Sequence, residues 1–552
     1  MYDLNKFNEQ FVVESYDEQG VLTEFSPNLK DNFNFAYDVV DEIAKIAPDK
    51  QALIWIGNDG EEKFFTYKDL SEKSNQIAHM FLEHGVKKGD MFVVVLKRHW
   101  QIWVTVLALE KIGAVLIPAT NQLQPKDYVY RFKSGNVKYV VATPDNNTPQ
   151  HMEDALKEYD GIKEKFVVKG ARDGWIDFDT EFEKYPKDFE RIENKTSDVS
   201  LAFFSSGTTG YPKLVTHSHD YSVAHLLTAK HWHNAKSHSI HLTISESGWG
   251  KFFWGKIFGE FLMGSTVFAY DFDRFDSLKL LEYISKYKVT SLCCPPTMLN
   301  MFIKGGLDKK YLTSVEYVTT AGEALKPDVF NKFKELTGIT IYEGFGQTET
   351  VLSIGVLVGQ TPKPGSMGKP VPLYNLDIVD TDGNSVPRGE TGEIVIRMKD
   401  KNPGLFLEYY GNDDATAETK KDGIYHTGDT AWEDTDGYYW YVGRTDDVIK
   451  ASGYRIGPVE IEAVLAEHPA VYEVAVVPAP DPVRGQVVRA VIVPTEEYKE
   501  KIQDPDFKTA LIKELQTHVK NQTAPYKYPR IIDFIDALPK TISGKIQRNL
   551  VR

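Results

Sequence analysis

Strand-like apolar runs that alternate with helix-like segments constrain the fold of this chain more than any other feature. Residues 91–96, 114–118 and 138–142 are such runs, and the segments between them have helical character. That alternation predicts α/β layers with mainly parallel sheets. At 552 residues the chain is too long for one core, so two or more domains are expected. Local signals add detail. Asn58-Asp59-Gly60 lies between two strand-like runs and predicts a hairpin. Thr66 followed by Asp69 predicts a capped start for a helix ending near Gly85, and residues 32–41 open an amphipathic helix. Near the C-terminus, helix-like 458–467 alternates with strand-like 472–478 and 487–493, which predicts a small α+β unit. No repeats or low-complexity tracts appear.

Hydrophobic residues make up 42% of the chain and charged residues 26%, the balance of a globular protein in water. The net charge of −15 argues against nonspecific nucleic-acid binding, which needs a basic surface. One region runs against this balance: from His518 onward there are seven Lys/Arg and two Asp/Glu, a basic patch suited to an anion. The two cysteines, Cys293 and Cys294, are adjacent in a strand-like run, so reduced, buried thiols are expected rather than a disulfide framework. The N-terminal stretch is polar and acidic without a signal-peptide pattern, and no apolar run approaches the length of a membrane span. A cytoplasmic protein is expected. Seven of the fourteen histidines fall between His217 and His241, but without an HExxH pattern or a nearby cysteine they read as packed or solvated side chains rather than zinc ligands.

The chemistry concentrates in Ser205-Ser206-Gly207-Thr208-Thr209-Gly210-Tyr211-Pro212-Lys213, between two apolar runs that read as strands. Glycines permit close backbone approach, so successive N–H groups can converge on an anion. Two serines and two threonines add donors, and Lys213 adds a point charge. The pattern is built to grip a polyphosphate. It is not a Walker loop, because Tyr211-Pro212 separates Gly210 from Lys213 and a strand, not a helix, follows. Two further stretches, Thr319-Thr320-Ala321-Gly322-Glu323-Ala324 and Tyr342-Glu343-Gly344-Phe345-Gly346-Gln347-Thr348-Glu349-Thr350, place a polar turn after apolar residues, as ligand-lining loops at strand ends do.

These stretches, followed in order by Tyr425-His426-Thr427-Gly428-Asp429, by Gly443-Arg444-Thr445-Asp446-Asp447 and by Ser543-Gly544-Lys545, resemble the adenylate-forming superfamily of acyl-CoA synthetases, peptide-synthetase adenylation domains and luciferases. The resemblance covers nearly the whole chain and leans towards the medium-chain acyl-CoA synthetases. It implies a large N-terminal domain (1–445) of layered α/β subdomains with a small β-barrel, and a small mobile α+β lid (446–552) that pivots at Asp446. By the same resemblance the Ser205-to-Lys213 loop, with Thr348, holds the phosphates of ATP. Gly322, Glu323, Ala324, Glu343, Gly344, Phe345, Gly346 and Gln347 border the nucleotide, Asp429 and Arg444 take the ribose, and Arg455 approaches the phosphates. Glu349 would hold Mg²⁺, a hard cation suited to one carboxylate plus phosphates. Lys545 would be the catalytic lysine. Gln122, Ser452, Gly453, Tyr454, Arg484, Lys520, Tyr528, Pro529 and Arg530 match positions that handle CoA. Trp249, Lys251, Trp254 and Gly346 border the acyl pocket. In acetate-specific relatives a tryptophan stands at the position of Gly346 and plugs the pocket floor, so glycine there implies a longer, branched or aryl acid.

The implied reaction joins a carboxylic acid to CoA, with ATP converted to AMP and pyrophosphate through an acyl-adenylate. Three other readings stand beside it: a module that loads a carrier protein, a short-chain (acetate or propionate) ligase, and a non-catalytic nucleotide-binding regulator. The motifs leave the oligomeric state open.

Overall fold

Two large twisted sheets carry most of the chain. The computed structural model describes residues 3–205, 211–398, 402–451, 454–540 and 546–552, the side chain of Arg455 excepted. The first sheet has seven strands in the order Lys213–Ser218, Val199–Ser205, Val115–Pro118, Met91–Val95, Tyr139–Ala142, Glu164–Val167, Ile176–Asp177. All its pairs are parallel except the hairpin of Val199–Ser205 with Lys213–Ser218 at one edge. The second has nine strands, with a parallel centre (Ile341–Phe345, Tyr317–Thr320, Ser291–Cys293, Ile240–Thr243, Thr266–Tyr270, Gln51–Ile56) and antiparallel pairs at both ends. The alternation in the sequence thus became layered α/β structure.

Helix starts follow the local chemistry. The Thr66 hydroxyl accepts from the Asp69 amide (3.1 Å) and the Asp69 carboxylate accepts from the Thr66 amide (2.8 Å), a reciprocal cap on the helix Tyr67–Glu83. The hairpin at Asn58-Asp59-Gly60 is present, with Gly60 at φ +87°, a left-handed turn position that glycine fills without strain. The helix expected from residue 32 begins later, as a π-helical turn Ala36–Asp41 leading into Glu42–Ile46. Asn34 accounts for the delay, because its Oδ1 takes the amides of Ala36 (3.1 Å) and Tyr37 (3.3 Å) and so caps the helix instead of joining it.

After the second sheet, Leu376–Val379, Gly392–Arg397, Ile424–Glu433 and Tyr439–Arg444 form a four-stranded antiparallel sheet. The C-terminal residues build their own sheet from Ile449–Ala451, Tyr454–Ile456, Val471–Asp481, Gly485–Pro494 and Ile531–Phe534. Helices Pro458–Ala466 and Pro505–Gln522 lie against it over a core that includes Ile461, Leu465, Val476, Ile492, Leu511 and Leu515. This is the α+β unit the sequence pattern predicted. Cys293 and Cys294 are free and buried.

Candidate active site

Neighbouring strands bring the second and third sequence stretches together. Tyr317–Thr320 and Ile341–Phe345 run parallel with Thr320 beside Glu343, so the loops after them share one end of the sheet. Glu343 ties them directly: its Oε1 accepts from the Leu325 amide (3.1 Å), just past Ala324. Burial pushes its carboxyl up to about 8, so it is protonated at neutral pH, and its Oε2 has no partner among the described residues. Gly322 takes φ +100°, a turn conformation that suits glycine alone. Glu323 accepts from the Thr297 hydroxyl.

The stretch expected to hold phosphate begins and ends in the edge hairpin, where Ser205 pairs with Lys213. Residues 206–210 lie outside the described residues. On the far side of the loop Tyr211 is 76% exposed and stacks on Tyr130 at 4.7 Å, whose hydroxyl donates to Pro212 O (2.7 Å). The Lys213 ammonium sits 4.5 Å above the ring of Tyr409, and the Tyr409 hydroxyl donates to Glu349 Oε1 at 3.0 Å. Residues around Tyr409 grip both partners through the backbone. Val215 bridges to Tyr409, Thr216 N donates to Glu408 O, Thr350 bridges to Leu405, and Phe406 N donates to Glu349 O. Next to Glu349, His217 Nε2 donates to Thr348 O at 2.8 Å; burial holds this imidazole down to about 3, so it is neutral.

Asp429 and Arg444 face each other across the antiparallel pair Ile424–Glu433 and Tyr439–Arg444. Asp429 is buried and accepts from the Tyr441 hydroxyl (2.9 Å), from Arg444 (3.3 Å) and from the Gln347 amide. Gln347 in turn accepts from the Tyr425 hydroxyl (2.6 Å). Thus Gln347, Asp429 and Arg444, separate in sequence, form one network. Asp446 lies 3.8 Å from Arg444 Nε, and Arg552 donates to Asp446 O (2.6 Å) and to the Asp447 carboxylate (2.5 Å).

The segment assigned to the acyl pocket reaches the same end of the sheet. Lys251 Nζ donates to Ala321 O at 2.8 Å. Trp249 precedes the helix Gly250–Lys256, which carries Trp254. A Cβ on Gly346 would stand 2.3 Å from the Trp254 ring and 2.5 Å from Val351 O, and one on Gly344 would stand 2.7 Å from the Trp232 ring. Gly344 in Ile341–Phe345 and Gly346 just after it therefore admit two indoles, and the room that Gly346 leaves is taken by Trp254. Gly346→Ala is expected to cost about 1–3 kcal/mol as an overpacked contact, seen as a lower urea midpoint. Combined with Trp254→Ala the cost should be less than the sum of the two single effects, because the shared collision is gone; strict additivity would show that the two residues do not press on each other.

Part of the proposed CoA set clusters on the C-terminal unit. Lys520 Nζ lies 4.0 Å over the ring of Tyr528, Arg530 packs against the same ring and donates to its hydroxyl (2.9 Å), and Gln516 donates to Pro529 O (3.0 Å). Tyr454 is half exposed and stacks on Tyr526 at 4.1 Å. Arg484 sits in the turn between Val471–Asp481 and Gly485–Pro494, its amide donating to Asp481 (2.8 Å). Gln122 stands exposed on a loop of the first sheet. Ser452, Gly453 and Lys545 lie outside the described residues.

The histidine-rich segment is packed, as expected. His219 pairs with Glu110 (2.6 Å), His231 with Glu14 (2.6 Å) and His233 with Glu260 (2.9 Å). His233, His241 and Glu260 bring their ligand atoms within 4.8 Å of one another. The two imidazoles stack at 4.4 Å, however, and both His241 nitrogens are taken by Ser291 and Thr243, so the trio forms a hydrogen-bonded layer rather than a chelate.

Tyr409 and Tyr441 had not been singled out from the sequence, and Tyr425 and His217 had been read only as members of a motif and of the histidine-rich run. Nothing local marks Tyr409, one of several aromatic and apolar residues in the run 405–410. Its position between Lys213 and Glu349 is visible only once three distant segments meet.

Lys213 and Glu349 on one tyrosine ring, the Gln347–Asp429–Arg444 network and a C-terminal α+β unit together fit an adenylate-forming enzyme. The model of the AMP-binding enzyme family matches residues 40–410, and that of the AMP-binding enzyme C-terminal domain matches residues 460–545. The mitochondrial acyl-coenzyme A synthetase ACSM3 of Homo sapiens is 38% identical over 560 residues, covering 100% of this chain and 94% of that protein. Among solved structures, the anthranilate CoA ligase AuaEII in complex with anthranoyl-AMP matches with TM-score 0.83 and 27% identity over 95% of this chain and 97% of its own. The Brucella canis acyl-CoA synthetase matches with TM-score 0.72 and 30% identity over 95% and 94%. The chain belongs to the AMP-binding enzyme family, as an ATP-dependent, AMP-forming ligase of the acyl-CoA synthetase group. No helix among the described residues is long and apolar enough to cross a membrane.

Proposed function

We propose that this enzyme converts a medium-chain, branched or aryl carboxylic acid, ATP and CoA to acyl-CoA, AMP and pyrophosphate. The observation that carries the reading is the juxtaposition of Lys213 and Glu349 on one tyrosine ring, with the Gln347–Asp429–Arg444 network built on the same motif. Asp429 accepts from both ribose hydroxyls, and Lys213 with the loop donors holds the departing pyrophosphate. Glu349 fits a Mg²⁺ ion: it is a hard oxygen donor whose carboxyl burial pushes up, so nearby positive charge is needed to keep it ionised. Bound there together with the phosphates, Mg²⁺ would neutralise charge on them. Lys545 stabilises charge growing between the attacking carboxylate and the α-phosphate, an electrostatic contribution that is usually the largest in such catalysis. The unit from residue 446 onward then turns about Asp446, and the cluster at Lys520, Tyr528 and Arg530 delivers CoA. Two buried, reduced thiols favour a reducing compartment, and we read it as the cytoplasm.

One observation favours a second reading, a short-chain acid: the indole of Trp254 fills the space beside Gly346. A single screen separates the possibilities. Pyrophosphate release with C2–C10, branched and aryl acids is expected to peak above C3, and AMP release should require free CoA. A maximum at acetate or propionate would establish the short-chain ligase, and AMP release independent of CoA would point to carrier loading. Silence with every acid would overturn the ligase reading.

A further inference from the structure

The helix Tyr221–His231 is buried on almost every side, and Trp232, which caps its C-terminal end, lies against Gly344 of Ile341–Phe345. One stripe of it is polar and lacks partners. His225, Thr228 and Trp232 stand at i, i+3 and i+7, so their side chains share a face. Both ring nitrogens of His225, the Thr228 hydroxyl and the Trp232 N–H make no hydrogen bond among the described residues, although all three side chains are fully buried. The surroundings of His225 are aromatic: Tyr221 meets it edge-on at 4.6 Å, Phe258 stacks at 5.9 Å and Trp254 lies at 6.0 Å. Trp254 and Trp232 are the two indoles that press on Gly346 and Gly344. The stripe therefore adjoins the place where the acyl group is proposed to lie.

Buried polar atoms are nearly always partnered, and each one left unpaired costs roughly 1–3 kcal/mol. Four such atoms on one stripe beside a substrate site call for a ligand that supplies the partners. The chemistry of the stripe limits what that ligand is. Burial drives His225 far below its ordinary value, so its imidazole is neutral and offers one donor and one acceptor; threonine offers both, and the indole donates only. None of the three brings a charge, so a second carboxylate or an ammonium would be buried there uncompensated.

We propose that the acid this enzyme activates carries a neutral hydrogen-bonding group, a hydroxyl or keto oxygen, on the part remote from its carboxylate, and that the unpartnered stripe of His225, Thr228 and Trp232 receives it. The proposal rests on the acyl-CoA ligase reading and names its substrate class. It converts Trp254 from a plug into one wall of a mixed pocket, apolar along its length and polar at the far end. A site built to hydrogen-bond a substrate group discriminates against the analogue that lacks it, because its own polar atoms are then left bare.

The test compares size-matched acids by pyrophosphate release: octanoate against 7-hydroxyoctanoate, and 3-phenylpropanoate against 3-(4-hydroxyphenyl)propanoate. The oxygenated member of at least one pair is expected to have kcat/KM about tenfold or more above its partner, as one additional satisfied hydrogen bond implies. His225→Leu should erase that preference, with folding checked by circular dichroism and the thermal midpoint. Should His225→Leu not fold, Thr228→Val, nearly the same shape, should reduce the preference at least threefold. Equal or better use of both plain acids by the natural chain overturns the proposal, as does a preference that survives the substitutions. Both outcomes leave acid activation standing. No pyrophosphate release from any acid, acetate to decanoate included, removes the ligase reading and this inference with it.

Discussion

Lys545→Ala is expected to reduce acyl-adenylate formation by roughly 10²–10³ or more, while thioester formation from supplied acyl-adenylate and CoA continues near the natural rate. The reasoning is electrostatic. Lys213 and the loop donors are proposed to serve the leaving pyrophosphate, and Lys545 to bring the positive charge of the C-terminal unit to the bond being made. In the second half-reaction that charge has no task, because the adenylate is already formed and the thiol attacks a carbonyl. Measuring pyrophosphate exchange and acyl-CoA formation on one preparation gives both rates. Equal losses in the two steps would rule out a lysine that serves the first step alone, and with it the turning of this unit about Asp446.

The second large effect is expected at Asp429. Its carboxylate is the hub on which Gln347, Arg444 and Tyr441 converge, and it is proposed to accept from both ribose hydroxyls. Asp429→Ala should raise KM for ATP about 10²-fold or more, since two charge-assisted hydrogen bonds of roughly 1.5–3 kcal/mol each disappear. KM for the acid should move far less. The same change leaves the Tyr441 hydroxyl and the Arg444 guanidinium short of an acceptor, so a stability loss of a few kcal/mol is expected alongside. Asp429→Asn keeps an acceptor oxygen and should recover part of both effects. An unchanged KM for ATP in a folded Asp429→Ala protein would show that the nucleotide sugar binds elsewhere.

Much of the architecture was legible because it depends on local chemistry. Strand-like runs at 91–96, 114–118 and 138–142 became central strands, since a buried parallel strand needs little beyond apolar residues of the right length. The reciprocal Thr66–Asp69 cap was readable because both partners sit within four residues. Residues 32–41 were read less well: whether Asn34 joins a helix or caps it depends on where its side chain turns. The site divides the same way. Glu343, Thr348, Glu349 and Asp429 were picked out by the resemblance of their motifs, taken in order along the chain. Gly346 read as empty space because the sequence does not say which distant side chain will use the room, and here it is Trp254. The unpartnered stripe on Tyr221–His231 was hidden in a histidine-rich run whose members turned out to be mostly paired.

Tyr409 has a consequence for the site before any nucleotide arrives. A lysine and a glutamate placed this close in a half-buried cleft would ordinarily close on each other as an ion pair, and a ligand would have to break that pair before using either charge. Here the ammonium rests on the face of the ring and the carboxylate on its hydroxyl edge. The aromatic ring works as a spacer between the two: ammonium and carboxyl each rest on Tyr409 rather than on one another.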